Sequence, residues 1–199
     1  MTLQKKEAIK YGWQETKNNF WVIVGTFTAS VVIPAVVQNL IKDSHKNPYP
    51  ILTLLSFLLS ILIACGITKF VLDILHKKQV DATYLYKEQK YYLPMLLSSI
   101  LNALAVGAAT LLLLVPGIIV ALKLSMYKYF IVEKNMTATD ALKASWELTN
   151  GYVWELFLFA LLRMGVFLLG ILALGVGVLV AIPVADLAKV QIYSQLQKK

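Results

Sequence analysis

TATDALKASWELTNGYVW, residues 137–154, decides how this chain is read, because a short amphipathic stretch runs straight into an apolar one. Thr137 stands as a helix N-cap, Asp140 holds the capping-box position three residues on, and Asn150-Gly151 is a stop signal. That punctuation predicts a helix of about twelve to thirteen residues. Beyond it, Val153 to about Gly170 is apolar over the length that a helix needs to cross a hydrocarbon layer roughly 30 Å thick. A surface helix feeding a membrane span is the local reading.

The stretch has a twin. Residues 7–21, EAIKYGWQETKNNFW, set against 140–154, DALKASWELTNGYVW, are identical at Ala8/Ala141, Lys10/Lys143, Trp13/Trp146, Thr16/Thr149 and Trp21/Trp154. Glu7/Asp140, Ile9/Leu142 and Gly12/Ser145 are conservative. Five identities in fifteen ungapped positions, where about one is expected by chance, two of them tryptophan, mark an internal repeat. Its unit is an interfacial helix followed by two spans, so successive copies enter the membrane from the same face as parallel repeats.

The rest of the chain follows the same grammar. With 58% hydrophobic residues, 15% charged and a mean hydropathy of +0.68, it departs from the roughly 45–50% apolar, about 25% charged balance of soluble domains. Residues 2–19 read as an amphipathic helix in the headgroup plane, with Ala8, Ile9, Gly12, Trp13 and Thr16 on one side and Lys5, Lys6, Lys10 and Lys17 towards the other. Phe20–Ile41 is the first span, carrying Pro34, and Ile51 to about Leu75 is the second. A third runs from about Pro94 to Val115, a fourth from Ile118 to Val132, a fifth from Val153 to about Gly170 and a sixth from about Leu172 to Tyr193. KDSHKNPYP is a polar turn, Pro116-Gly117 a tight one, and VDATYLYKEQK, residues 80–90, a weaker copy of the interfacial helix. The fold expected is an all-α integral membrane protein of six transmembrane helices, arranged as three hairpins, with amphipathic interfacial helices before spans one and five and a weaker one before span three. A single membrane domain covers residues 1–199, in repeat units of about 2–78, 80–134 and 137–199.

Sixteen of the nineteen lysines and arginines fall on one side of this arrangement, Lys42 and Lys46 lie opposite, and Arg163 is inside a span. The positive-inside rule then puts both termini in the cytoplasm. The polar start MTLQKKEAIK argues against a cleavable signal peptide, and Cys65, alone and mid-span, reads as a small apolar filler. The net charge of +8 sits beside spans, so the partners expected are anionic lipid headgroups and not nucleic acid. Gly25/Ala29, Gly165, Gly170 and Gly175 permit close helix packing, within the chain, with a membrane protein partner or between copies in a homo-oligomer.

The run YKYFIVEKNMTATDALKASWELTNGYVWELF from Tyr127, with the closing IPVADLAKVQIYSQL, resembles the multi-pass bacterial family that includes the membrane domain fused to some glycerophosphodiester phosphodiesterases and its YciC-like relatives of unknown function. The resemblance implies a six-helix membrane domain and no activity for that domain alone. The fused enzymes resemble catalytic barrels with a His-Arg start and acidic metal ligands; here His45 and His76 are isolated, so that chemistry does not carry over.

No G-x-S-x-G, H-E-x-x-H, Walker loop, paired cysteines or EF-hand loop occurs, so no catalytic residue, cofactor or metal is expected. Ionisable residues inside spans become the functional candidates, since charge in hydrocarbon is costly. Lys123 lies ten residues from Glu133, about 15 Å along a helix rising 1.5 Å per residue, and Arg163 lies nine from Trp154, about 13 Å, so both reach towards the bilayer centre. Asp186 and Asn102 add polar groups in spans six and three. In the plainer reading Lys69, Asp73, Lys128 and Lys189 snorkel, while Arg163 or Lys123 pairs with Asp186 as a bolt between hairpins. In the sharper one an inward-facing polar cavity with Asn102 holds an anionic headgroup or solute, Lys123 and Arg163 being phosphate contacts and Asp186 their orienter. Trp13, Trp21, Trp146 and Trp154 are interfacial anchors, with a lipid- or protein-clamping collar as the alternative. A non-enzymatic bacterial inner-membrane protein, lipid-interacting or an assembly subunit, is the function expected; the alternative is a small transporter or channel subunit using the cavity around Lys123, Arg163 and Asp186.

Overall fold

The structure is a computed structural model that describes residues 3–43, 50–77, 89–172 and 176–198. His45 and its polar turn, Gly175, and the linker over 80–88 lie outside the described residues. Among the described residues every regular element is helical: α1 (Lys5–Asn18), α2 (Phe20–Asp43), α3 (Pro50–Leu75), a short 3-10 turn (Gln89–Tyr91), α4 (Tyr92–Leu112), α5 (Leu114–Lys123), α6 (Tyr127–Lys134), α7 (Ala138–Leu148), α8 (Val153–Leu172) and α9 (Val176–Gln197). Six stretches are long and apolar enough to cross a membrane: Phe20–Asn39, Ser56–Leu75, Tyr92–Leu112, Leu114–Lys134, Val153–Leu172 and Gly177–Gln197, here spans one to six. Span four is α5 and α6 together.

Burial separates these spans into two kinds. Only 17%, 11% and 17% of spans one, three and five is buried, against 44%, 44% and 50% of spans two, four and six. The even spans therefore form the core and the odd ones shield it, offering lipid side chains such as Val31, Leu104, Leu111 and Leu168. The core residues follow suit: Phe70, Val71 and Leu72 from span two, Tyr129, Phe130 and Ile131 from span four, and Leu187, Val190 and Ile192 from span six are all buried. Tyr193 stacks on Tyr129 with ring centroids 4.9 Å apart and meets Phe130 edge-on at 5.4 Å.

The two amphipathic helices are punctuated as their sequences dictate. Thr137 caps α7, its hydroxyl oxygen accepting from the Asp140 N–H at 3.4 Å, and Gly151 at φ +81° ends the segment. α7 is one turn-end shorter than the spacing predicts, eleven residues. The same three positions of each twin are buried, Ala8, Gly12 and Thr16 in the first and Ala141, Ser145 and Thr149 in the second. Trp21 at 86% and Trp154 at 68% are exposed. Each buried face packs on an even span: α1 lies along α9, and α7 along α6, with α4 of span three also against α7.

These two contacts solve one problem in two ways. Gly12 presents bare backbone to span six, where an added Cβ would run into the Val184 carbonyl oxygen and lie 3.1 Å from the Ala188 nitrogen. Ser145 instead meets span four where its helix breaks. A continuous helix is the natural reading of residues 118–132, but Leu124–Met126 form a turn between α5 and α6. Backbone groups freed in an apolar setting need partners, and α7 supplies them. Ser145 donates to the Lys123 carbonyl at 2.8 Å and accepts from the Met126 N–H at 3.1 Å, while Thr149 donates to the same carbonyl at 3.0 Å. Ser145→Ala removes both bonds of a fully buried hydroxyl, so the thermal unfolding midpoint in detergent should fall by the equivalent of about 2 kcal/mol. Thr149→Ser keeps its donor and loses only a buried methyl group, so the midpoint should fall by the smaller equivalent of about 1 kcal/mol.

Close packing also occurs at Gly170, where a Cβ would lie 2.9 Å from the Ala181 Cβ, so spans five and six approach tightly there. Gly25 and Gly165 face open space. Outside the spans, burial with the Glu15 carboxylate nearby pushes the Tyr11 phenol of α1 up to about 12, which keeps it neutral.

Candidate functional site

Spans two, four and six end together. The Glu133 carboxylate at the end of span four accepts from the Tyr193 hydroxyl at 2.5 Å and the Gln197 amide at 3.0 Å, and lies 3.2 Å from His76 Nε2. Gln4 joins them through its N–H to the Gln195 side chain at 3.0 Å, and Lys5 pairs with Glu155 at 2.5 Å. The even spans thus run parallel, closed at one end by this polar cluster and by the Tyr129–Tyr193 stack.

Beyond the Tyr129–Tyr193 stack, spans one, two, four and six enclose a cavity of about 270 Å³. Ser30 lines it from span one, Ser60, Ala64 and Thr68 from span two, Ser125, Lys128 and Tyr129 from span four, and Asp186 and Lys189 from span six. Ser125 reaches it because the turn at Leu124–Met126 interrupts the helix there. The local charge is uneven. Arg163 of span five holds Asp186 Oδ1 at 3.1 Å, and Lys69 pairs with the buried Asp73 at 3.2 Å one turn along span two. Neither Lys128 nor Lys189 has a hydrogen-bond or ion-pair partner among the described residues.

The residues singled out in the sequence separate accordingly. Arg163 and Asp186 form the expected pair, and Asp186 lines the cavity. Arg163 itself stands behind Asp186, with its Nε buried and unpartnered among the described residues. Lys123 goes elsewhere. The helix breaks directly after it, so the distance counted along an unbroken helix does not apply, and its ammonium sits 4.1 Å from the centre of the Trp146 ring and 3.4 Å from Asn150 Oδ1. Asn102, half-buried on α4, does not line the cavity.

Lys128 and Lys189 are the residues that a reading by depth passes over as snorkelling. The pattern that marks them is positional: Lys69, Lys128 and Lys189 stand at a similar level past the midpoint of the three even spans, while the odd spans carry no lysine and only Arg163 as a cation. Lys69 is neutralised by Asp73, which leaves two. An ammonium drawn from water into an apolar bundle is costly unless an anion meets it, so this arrangement can receive negative charge. No group of three histidine, cysteine or acidic side chains suited to a metal occurs among the described residues.

The family described as Protein of unknown function (DUF975) matches over residues 100–199, half of the chain, which takes in spans four to six and most of span three. The chain belongs to that family. No curated protein and no solved structure matches it.

Proposed function

We propose that this membrane protein holds the headgroup of an anionic lipid in the cavity between spans two, four and six, with Lys128 and Lys189 as its cationic contacts. The observation that carries this reading is the pair of lysines, both lining one cavity and neither in an ion pair among the described residues, with the Asp186 carboxylate beside them already held by Arg163. Asp186, held by Arg163, keeps that side of the cavity from becoming uniformly cationic and fixes span five against span six. Lys123, stacked on Trp146 at the end of α7, anchors the surface helix and does not enter the cavity.

The wider setting belongs to the same proposal: a bacterial inner-membrane protein of three hairpins, built from parallel repeats, with both termini in the cytoplasm. The lysine distribution supports that orientation, as does the placement of Gln4 against Gln195. A kinship with the membrane domain joined to some glycerophosphodiester phosphodiesterases fits this reading and brings no catalytic role; the protein works by binding.

Anionic lipid should stabilise the folded protein by mass action, by about 2.7 kcal/mol at a hundredfold excess over Kd. Phosphatidylglycerol added to detergent-solubilised wild type should raise the thermal midpoint by several degrees and phosphatidylcholine should not. In Lys128→Met/Lys189→Met the rise should vanish. An equal rise in wild type and variant would refute the assignment.

A further inference from the structure

The two walls of the cavity offer a ligand different things. On spans four and six stand donors: the ammoniums of Lys128 and Lys189, and the Ser125 hydroxyl, which has no hydrogen-bond partner among the described residues. On spans one and two stand hydroxyls whose protons are already committed to their own helices. Ser30 donates to the Phe27 carbonyl at 2.7 Å, Ser60 to Ser56 at 2.9 Å and Thr68 to Ala64 at 2.7 Å. A hydroxyl has one proton and two lone pairs, so these three oxygens face the cavity as acceptors. The second carboxylate oxygen of Asp186 is a further acceptor.

A bare phosphate group suits only the first wall, because its oxygens and the three hydroxyl oxygens repel where no proton lies between them. We infer that the cavity selects a phosphodiester headgroup that itself carries free hydroxyls, its phosphate against Lys128, Lys189 and Ser125 and its hydroxyls donating to Ser30, Ser60 and Thr68. This rests on the anionic-lipid reading above and adds the half of the ligand that the lysines do not see. A glycerol headgroup is the smallest occupant with this chemistry. Leaving a buried acceptor without a donor is penalised more than making the bond is rewarded, so an isocharged lipid without hydroxyls binds less well.

The test is a native mass spectrometry titration of the full chain with phosphatidylglycerol and with phosphatidylmethanol of the same acyl chains. Both carry one negative charge and only the first has hydroxyls. Wild type should bind phosphatidylglycerol about tenfold more tightly, the worth of one to two net hydrogen bonds. Ser30→Ala/Ser60→Ala/Thr68→Val should bring the two lipids level without weakening phosphatidylmethanol, and Lys128→Met/Lys189→Met should lose both. Equal affinities in wild type, with both lost in the lysine variant, would overturn the hydroxyl wall and leave the anionic site standing. Unaltered binding in the lysine variant would overturn both. Should the triple variant not fold, the wild-type ratio alone decides. An arm with water-soluble glycerol phosphate separates the sources of this chemistry: failure to displace phosphatidylglycerol assigns the site to lipid, and displacement assigns it to free hydroxylated phosphate esters.

Discussion

Gly12→Ala should unfold or severely destabilise the protein, by about 3 kcal/mol, although alanine is the better helix former by about 1 kcal/mol. The reason is contact and not propensity. The new methyl would collide with the Val184 carbonyl oxygen and crowd the Ala188 nitrogen, and both are backbone atoms that no rotamer change can move. α1 would have to lift from α9, which would also strain the Lys5–Glu155 pair and the Gln4–Gln195 bond. Gly25→Ala is the matched control: nothing lies within 4 Å of its added Cβ, so the thermal midpoint should stay or rise slightly. Fluorescence-detected melting of the two variants in the same detergent reads the contrast directly. A Gly12→Ala protein as stable as wild type would mean that α1 does not pack on span six.

Asp186→Ala should cost about 2 kcal/mol, because it leaves the half-buried Arg163, whose Nε already lacks a partner among the described residues, without its carboxylate. The loss is a penalty for the orphaned guanidinium and not the net worth of the pair, which is small once desolvation is counted. Arg163→Met/Asp186→Met should therefore recover most of the stability that either single change removes. A double variant as unstable as Asp186→Ala would show that Asp186 is needed for something other than Arg163. In the cavity the same single change removes an acceptor and unbalances the charge beside Lys189, so tighter retention of anionic lipid should accompany the lost stability.

The spans were legible because apolar runs of this length have few other uses, and all six spans overlap the residues where hydropathy puts them. The caps were legible for the same local reason: Thr137 and Gly151 act through neighbouring backbone. What hydropathy does not carry is which spans face inward. Spans three and four are both apolar enough to cross a membrane, so hydropathy alone does not separate them, and only packing reveals that span four is the more buried of the two. The turn at Leu124–Met126 was hidden too, since no glycine or proline marks it and its freed backbone groups are satisfied by Ser145 and Thr149, some twenty residues away in the chain.

The candidate site was legible in part. Asp186 with Arg163 follows from two opposite charges at comparable depth. Lys123 misled because depth was measured along a helix that is in fact broken beside it, and Lys128 and Lys189 were passed over because a long side chain near a span end ordinarily reaches water. Their common level in the even spans, with Lys69 as the neutralised third, is visible in the sequence once the inner spans are known. The small residues divide in the same way: Gly12 and Gly170 mark true close approaches, while Gly25 and Gly165, indistinguishable by pattern, meet nothing.

The anionic site is tested most directly by the lipid that the protein carries out of its own membrane. Wild type and Lys128→Met/Lys189→Met, purified side by side from native membranes in mild detergent and washed extensively, should differ in phosphorus content by about one anionic lipid per chain. Equal lipid phosphorus in the two proteins, or retained lipid that is zwitterionic, would contradict an anion-binding cavity at Lys128 and Lys189.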